Sequence, residues 1–156
     1  KNMKLHKMEN ISRRYAIGLI FGSAGYIASS KIAFASKDKV LKRIDEITEN
    51  KGTKDSEIFL DLPEIAENGN QVKVNFEIES EMSNDDHIKN VYILADGNPA
   101  PDVAKFSFSP DMGVCSATTR IRLSKTQNVY LIAENNKREF FMTKSKVKVT
   151  IGGCGG

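Results

Sequence analysis

The sequence contains no tryptophan, two cysteines, two histidines and four prolines in 156 residues. Aromatic residues are 8% of the chain against 40% hydrophobic overall, so a core has to be mostly aliphatic, with some Phe and Tyr. No later segment supplies the roughly 20 consecutive apolar residues that a membrane-spanning helix needs. Histidine is too scarce for a dedicated zinc site, because only His87 remains once the N-terminal segment holding His6 is set aside. A basic surplus on the folded part is missing as well. The net charge of +3 arises because residues 1–35 carry six Lys and Arg against Glu9, while residues 36–156 carry 17 against 19 acids. Nucleic-acid binding needs a basic domain face, so that class is set aside.

What is present begins with an address. Position 1 is Lys, so Met3 or Met8 is the expected start. Basic residues lead to Ser12-Arg13-Arg14-Tyr15, followed by a weakly apolar, glycine-broken run over 16–28 and by Ala33-Phe34-Ala35. Paired arginines before a weak hydrophobic core predict a twin-arginine signal peptide over 1–35. The last three residues form a small-x-small cleavage site. The expected mature chain starts at Ser36 in the periplasm, with no membrane association after signal removal.

Residues 38–51 place Val40, Leu41, Ile44 and Ile47 at helical spacing, a short amphipathic helix ended by Gly52. From Ser56 the period changes to two. Strands are expected around 58–62, 72–79, 88–95, 104–108, 117–123, 129–133, 140–143 and 146–151, with turns at Asp96-Gly97-Asn98-Pro99 and Asn135-Asn136. Seven or eight short strands without helical crossovers predict an all-β, immunoglobulin-like antiparallel β-sandwich over 36–151. There is no internal repeat. The segment Pro63–Asn70 reads as a loop that caps the sandwich or touches a partner.

The chain ends Gly152-Gly153-Cys154-Gly155-Gly156. Glycine loses more backbone entropy on ordering than any other residue, so these five residues predict a flexible, narrow arm. Extended, they reach about 15 Å. A thiol at the end of such an arm bonds reversibly to sulfur, attacking as thiolate and leaving by the reverse step. A catalytic cysteine needs a base or a positive environment. Nothing in the sequence puts one beside Cys154, and His87 lies in a separate loop-like stretch. The tail therefore reads as a handle passed between enzymes rather than as an active site.

At this point the chain resembles the SoxY family, the sulfur-carrying subunits of the thiosulfate-oxidising Sox system. The likeness covers about residues 40–156. It rests on Leu62-Pro63-Glu64-Ile65-Ala66-Glu67-Asn68-Gly69-Asn70, Ala95-Asp96-Gly97-Asn98-Pro99, Arg120-Ile121-Arg122-Leu123, Thr126-Gln127-Asn128-Val129 and the tail from Lys148. The resemblance implies a non-enzymatic carrier with Cys154 as the attachment residue. Gly152, Gly153, Gly155 and Gly156 would form a swinging arm, and the chain would hold no cofactor and no metal of its own. It also implies a tight heterodimer with SoxZ and transient visits by SoxAX, SoxB and, where present, SoxCD.

Cys115 departs from this pattern, since a carrier needs one thiol. It reads as an incidental thiol at a turn or strand start, or as a thiol for inter-subunit or regulatory pairing; a disulfide to Cys154, if Cys115 reaches it, would block loading. Lys144, Lys146 and Lys148 share one strand face, either a solvated edge that discourages aggregation or an approach for anions and partners. A ubiquitin-like carrier would hold sulfur on Gly156 instead. The leader and the strand count argue against it. A plain structural module would have no use for a thiol on a glycine arm, and prenylation needs three residues after the cysteine, not two.

Overall fold

The computed structural model describes residues 37–54 and 58–153, all within one compact unit, Ser36–Gly156. The expected leader over 1–35, together with Cys154, Gly155 and Gly156, lies outside the described residues.

One helix, α1 (37–48), precedes eight strands. These are β1 (Ile58–Asp61), β2 (Ile65–Asn68), β3 (Val72–Ile78), β4 (Ile88–Ala95), β5 (Asp102–Ser107), β6 (Cys115–Ile121), β7 (Gln127–Asn135) and β8 (Phe140–Ile151). They form a three-stranded sheet in the order β1-β3-β6 and a five-stranded sheet in the order β2-β8-β7-β4-β5. The chain is mainly β, as the period-two pattern predicts.

Alternation accounts for the packing. Val72, Val74, Phe76 and Ile78 of β3 are buried while Lys73 and Glu77 are exposed. These inward residues meet Val91 and Ile93 of β4, Val129, Leu131 and Ala133 of β7, and Val147 of β8 in one core. Phe76 anchors it, with the Phe106 and Phe108 rings edge-on at 5.4 and 6.3 Å. β7 is buried on both faces, which explains its unbroken apolar run. Its other face, Tyr130 and Ile132, joins Leu94 and Phe140 in a second cluster that receives Val40 and Ile44 of α1. Full burial of one such aliphatic side chain stabilises the fold by about 1.5–3 kcal/mol.

Four sequence expectations change. Pro63–Asn70 is not all loop: Ile65–Asn68 forms β2, which pairs parallel with β8. The ladder is therefore not wholly antiparallel. Five other strands lie between these two along the chain, so no hairpin forces the antiparallel sense. The two segments expected at 140–143 and 146–151 are one twelve-residue strand. Leu41, placed on the apolar stripe of α1, is 46% exposed, while Thr48 is buried in its stead. The helix also stops before Gly52, because Glu49 and Asn50 already take left-handed φ of 53° and 59°.

Candidate functional site

The site is built where β8 runs out. β2 escorts the end of β8, with Asn68 paired to Ile151. Beyond that pair, the Gly69 N–H donates to the Ile151 carbonyl at 2.8 Å. The Gly69 carbonyl accepts from the Leu123 N–H at 2.8 Å, and the Leu123 carbonyl accepts from the Gly153 N–H at 2.9 Å. Three chain segments are thus tied backbone to backbone around the start of the tail.

Glycine is required here for closeness. A Cβ on Gly69 would stand 2.1 Å from the Leu123 carbonyl oxygen and 2.7 Å from the Gly153 nitrogen. One on Gly152 would stand 2.2 Å from the Ser124 carbonyl oxygen, and one on Gly153 would stand 2.7 Å from the Gly69 carbonyl oxygen. Gly153 is buried. Gly152 and Gly153, expected as the first links of a free arm, are instead docked in a seam lined by backbone. Residues that lack a side chain let main chains approach this tightly. Cys154, the candidate attachment residue, follows Gly153 directly in the chain.

A buried polar knot fixes the seam from behind. Asn98 and Gln127 are 6% and 4% exposed. The Asn98 Oδ1 accepts from the Ser124 N–H at 3.0 Å and from the Gln127 Nε2 at 3.0 Å, while the Asn98 Nδ2 donates to the Arg122 carbonyl at 2.9 Å. The Gln127 Oε1 accepts from the Gly97 N–H at 2.6 Å. Buried polar groups bonded on every side hold a single geometry. Sequence reasoning does not single out these socket residues (Gly69, Gly97, Asn98, Leu123, Ser124 and Gln127) as functional. A signal exists, since every one but Ser124 lies in the segments that carry the resemblance.

The other candidates lie elsewhere. Cys115 is 2% exposed and pairs across the ladder with Ile78, at the opposite end of β6. Eight residues separate Cys115 from Leu123, about 26 Å at strand rise. A disulfide needs Cα atoms within about 7 Å, so Cys115 cannot bridge to a residue one step from Gly153. Burial pushes its thiol pKa up to about 12, which leaves it protonated and inert at neutral pH. His87 is half-buried and ties loops together. Its Nδ1 lies 2.9 Å from the Ser83 carbonyl, and its backbone carbonyl accepts from the Asn136 N–H. Lys144, Lys146 and Lys148 are exposed. β2 pairs with β8 only from Lys148 to Ile151, so Lys148 lies between two strands, while Lys144 and Lys146 stand where β8 has β7 as its one named strand neighbour, as the solvated-edge reading expects. Among the described residues no group of three or more His, Cys, Asp or Glu is placed to hold a metal.

Residues 44–154 match the model of the family described as sulfur oxidation protein SoxY, a match that runs through the socket and ends at Cys154. The chain belongs to the SoxY family. Among solved structures it is similar to the sulfur carrier protein SoxY from Chlorobium limicola f thiosulfatophilum, with 28% identity and a TM-score of 0.60, over 73% of this chain and 98% of that one. It is also similar to a superoxide reductase (neelaredoxin) from Ignicoccus hospitalis, with 16% identity and a TM-score of 0.54, over 59% of this chain and 79% of that one. The second likeness is one of fold alone. The curated proteins give no match. Family membership makes the chain a sulfur carrier of sulfur oxidation and places it in the context of a SoxYZ complex.

Proposed function

We propose that this SoxY protein is a periplasmic carrier that holds thiosulfate-derived sulfur on Cys154 while partner enzymes act on it. The observation that carries the reading is the docking of Gly153, because it anchors the chain one residue short of the thiol. The rest of the domain then acts as a rigid holder for the residue that carries the cargo. Loading joins the Cys154 thiol to the sulfane sulfur of thiosulfate, forming an S–S bond and releasing one proton and two electrons. The electrons go to the haem enzyme SoxAX. Hydrolysis by SoxB then adds water across the sulfur–sulfonate bond, leaving a persulfide on Cys154 and releasing sulfate. SoxCD, where present, oxidises that persulfide sulfur. The carrier supplies no catalytic group, and SoxZ is its permanent partner.

Export through the twin-arginine route before Ser36 fits this chemistry, since the leader precedes a domain that folds as one unit. The two packed sheets and their mainly antiparallel ladders support the immunoglobulin-like description.

The test is the mass of the C-terminal peptide from protein purified without reductant out of thiosulfate-oxidising cells. Reductant-labile sulfur or thiosulfonate on Cys154 is the expected result. Adducts confined to Cys115 or Gly156, or an unmodified Cys154 under turnover, would overturn the reading.

A further inference from the structure

Four arginines lie among the described residues, and they divide into two kinds. Arg43 is ion-paired with Asp102 and Glu46, and Arg138 with Glu49 and Glu134. Arg120 and Arg122 make no ion pair and no side-chain hydrogen bond among the described residues. Both are exposed, spaced by two on the outward side of β6 and its extension, while Ile121 and Leu123 between and beyond them are buried.

A third cation stands opposite. Lys73 of β3 is the direct cross-strand partner of Arg120. Like charges placed opposite each other in an antiparallel pair cost stability. The ladder register fixes this pair, so the cost is built into the sheet. Two surface grooves meet here. One, of about 300 Å³, is lined by Arg120, Arg122, Asn98 and Thr119. The other, of about 400 Å³, is lined by Lys73, Thr118, Thr119 and Arg120. Arg120 and Thr119 belong to both. Asp102 borders the first groove, but Arg43 holds its carboxylate.

The position of this face relative to the tail gives it meaning. Arg122 immediately precedes Leu123, whose carbonyl receives the Gly153 N–H, and the Arg122 carbonyl is itself clamped by Asn98. A guanidinium on a side chain of this length reaches over the next one or two residues of its neighbours. Guanidinium groups bind planar or tetrahedral oxyanions in paired hydrogen bonds.

We propose that Lys73, Arg120 and Arg122 form an anion-binding face that receives the charged oxyanion end of the cargo, a sulfonate carried on Cys154, while the tail is docked. This rests on the reading of Cys154 as the attachment residue. The face offsets the negative charge that a thiosulfonate brings to the domain and holds the loaded tail against the body. Loss of the sulfonate as sulfate removes the oxygens that accept paired hydrogen bonds and leaves a persulfide, whose terminal sulfur accepts weaker ones. Whether the cargo ends in an oxyanion or in sulfur thereby sets how firmly the tail is held.

The test reads the electric field at Cys154 in the full chain, using small thiol reagents of known charge. Reaction rates are measured with an anionic sulfonate-bearing methanethiosulfonate and a cationic trimethylammonium-bearing one, at low ionic strength. Their ratio cancels any change in thiolate fraction. In Arg120→Gln/Arg122→Gln the anionic-over-cationic ratio is expected to fall about threefold to tenfold, with the difference shrinking in high salt. Lys73→Gln gives a smaller fall in the same direction. Lys89→Gln, exposed at the start of β4 and about 20 Å of strand away from Ala95 at the seam end, leaves the ratio within about twofold.

A ratio unmoved by the double arginine variant, or moved as much by Lys89→Gln, overturns the proposal. So does an unmoved ratio in a variant that loses retention of an acidic partner protein, because the face would then be a protein-docking surface. A shifted ratio together with an unloaded Cys154 in cells sinks the carrier reading and leaves the anion face standing.

Discussion

Gly69 and Gly153 lie main chain against main chain: a Cβ on Gly153 would stand 2.7 Å from the Gly69 carbonyl oxygen, and a Cβ on Gly69 would stand 2.7 Å from the Gly153 nitrogen. The Leu123 backbone closes the ring by donating to one glycine and accepting from the other. Gly152 and Gly153 thus permit docking, a role for tail glycines distinct from freedom of movement.

Gly69→Ala is the direct test of that seam. The obstructing atom is backbone, so the added methyl forces a shift that costs about 1–3 kcal/mol. Amide exchange at Leu123 and Gly153 should accelerate together, ahead of exchange in β3 and β7. Retained protection at Gly153 would mean that the seam does not hold the tail.

The Asn98–Gln127 pair should matter as much as any core residue. Asn98→Ala leaves the Ser124 N–H and the Arg122 carbonyl without their Asn98 partners and removes one of the two bonds that the Gln127 Nε2 donates, the other going to the Lys125 carbonyl, and urea unfolding should register a loss of about 3 kcal/mol. Asn98→Asp keeps the acceptor but turns the Nδ2 donor into an oxygen facing the Arg122 carbonyl. Its folded-state pKa is then raised, so the variant is most stable below the ordinary carboxylate range and loses stability as pH rises through the raised value. Equal stability of this variant at pH 4 and pH 7 would count against the assigned bonds.

Much of this is legible in the sequence, and the failures have physical causes. β3 follows from strict alternation, since one of its faces is wet, whereas β4, whose last three residues are all buried, follows from its apolar run. β2 reads as loop because Ile65 points out at 58% exposure and only Ala66 is buried, so a four-residue strand leaves almost no period. Gly153 reads as flexible because intrinsic entropy is visible in a sequence, while the carbonyl it must approach comes from Leu123, far away along the chain. Cys154 stands out from composition alone. The knot behind the seam does not, because Asn98 and Gln127 look like ordinary turn and loop residues until their backbone partners are known.

α1 offers a test of burial against pattern. Ile44 and Leu41 sit on the same predicted stripe, yet Ile44 is 8% exposed and Leu41 46%. Ile44→Ala removes packing against the outer face of β4 and β7 and should cost about 2–4 kcal/mol. Leu41→Ala should stay within about 0.5 kcal/mol. Similar losses at both positions would mean that Leu41 is covered by a partner in solution.

Cys115 should be silent toward thiol reagents and audible in the pH dependence of stability. Native protein at pH 8 should react at one thiol and denatured protein at two, because burial leaves no thiolate at position 115 to attack. The folded-state pKa of about 12 lies above the ordinary thiol value of about 8.5. Above that ordinary value the unfolded chain loses the proton while the folded chain keeps it. The folded state then binds more protons, so stability falls as pH rises from about 9 and flattens only near the folded pKa. Tyr92 and Tyr130 are also shifted upward, chiefly by burial, and contribute the same sign at higher pH. Cys115→Ala isolates the thiol: its stability is offset by lost packing at every pH, but its decline between pH 8 and pH 10 should be shallower than that of the parent. Denaturant melts at those two pH values measure it. Parallel declines would show that the thiol is hydrated in the folded protein, and with it that β6 opens at the end remote from the tail.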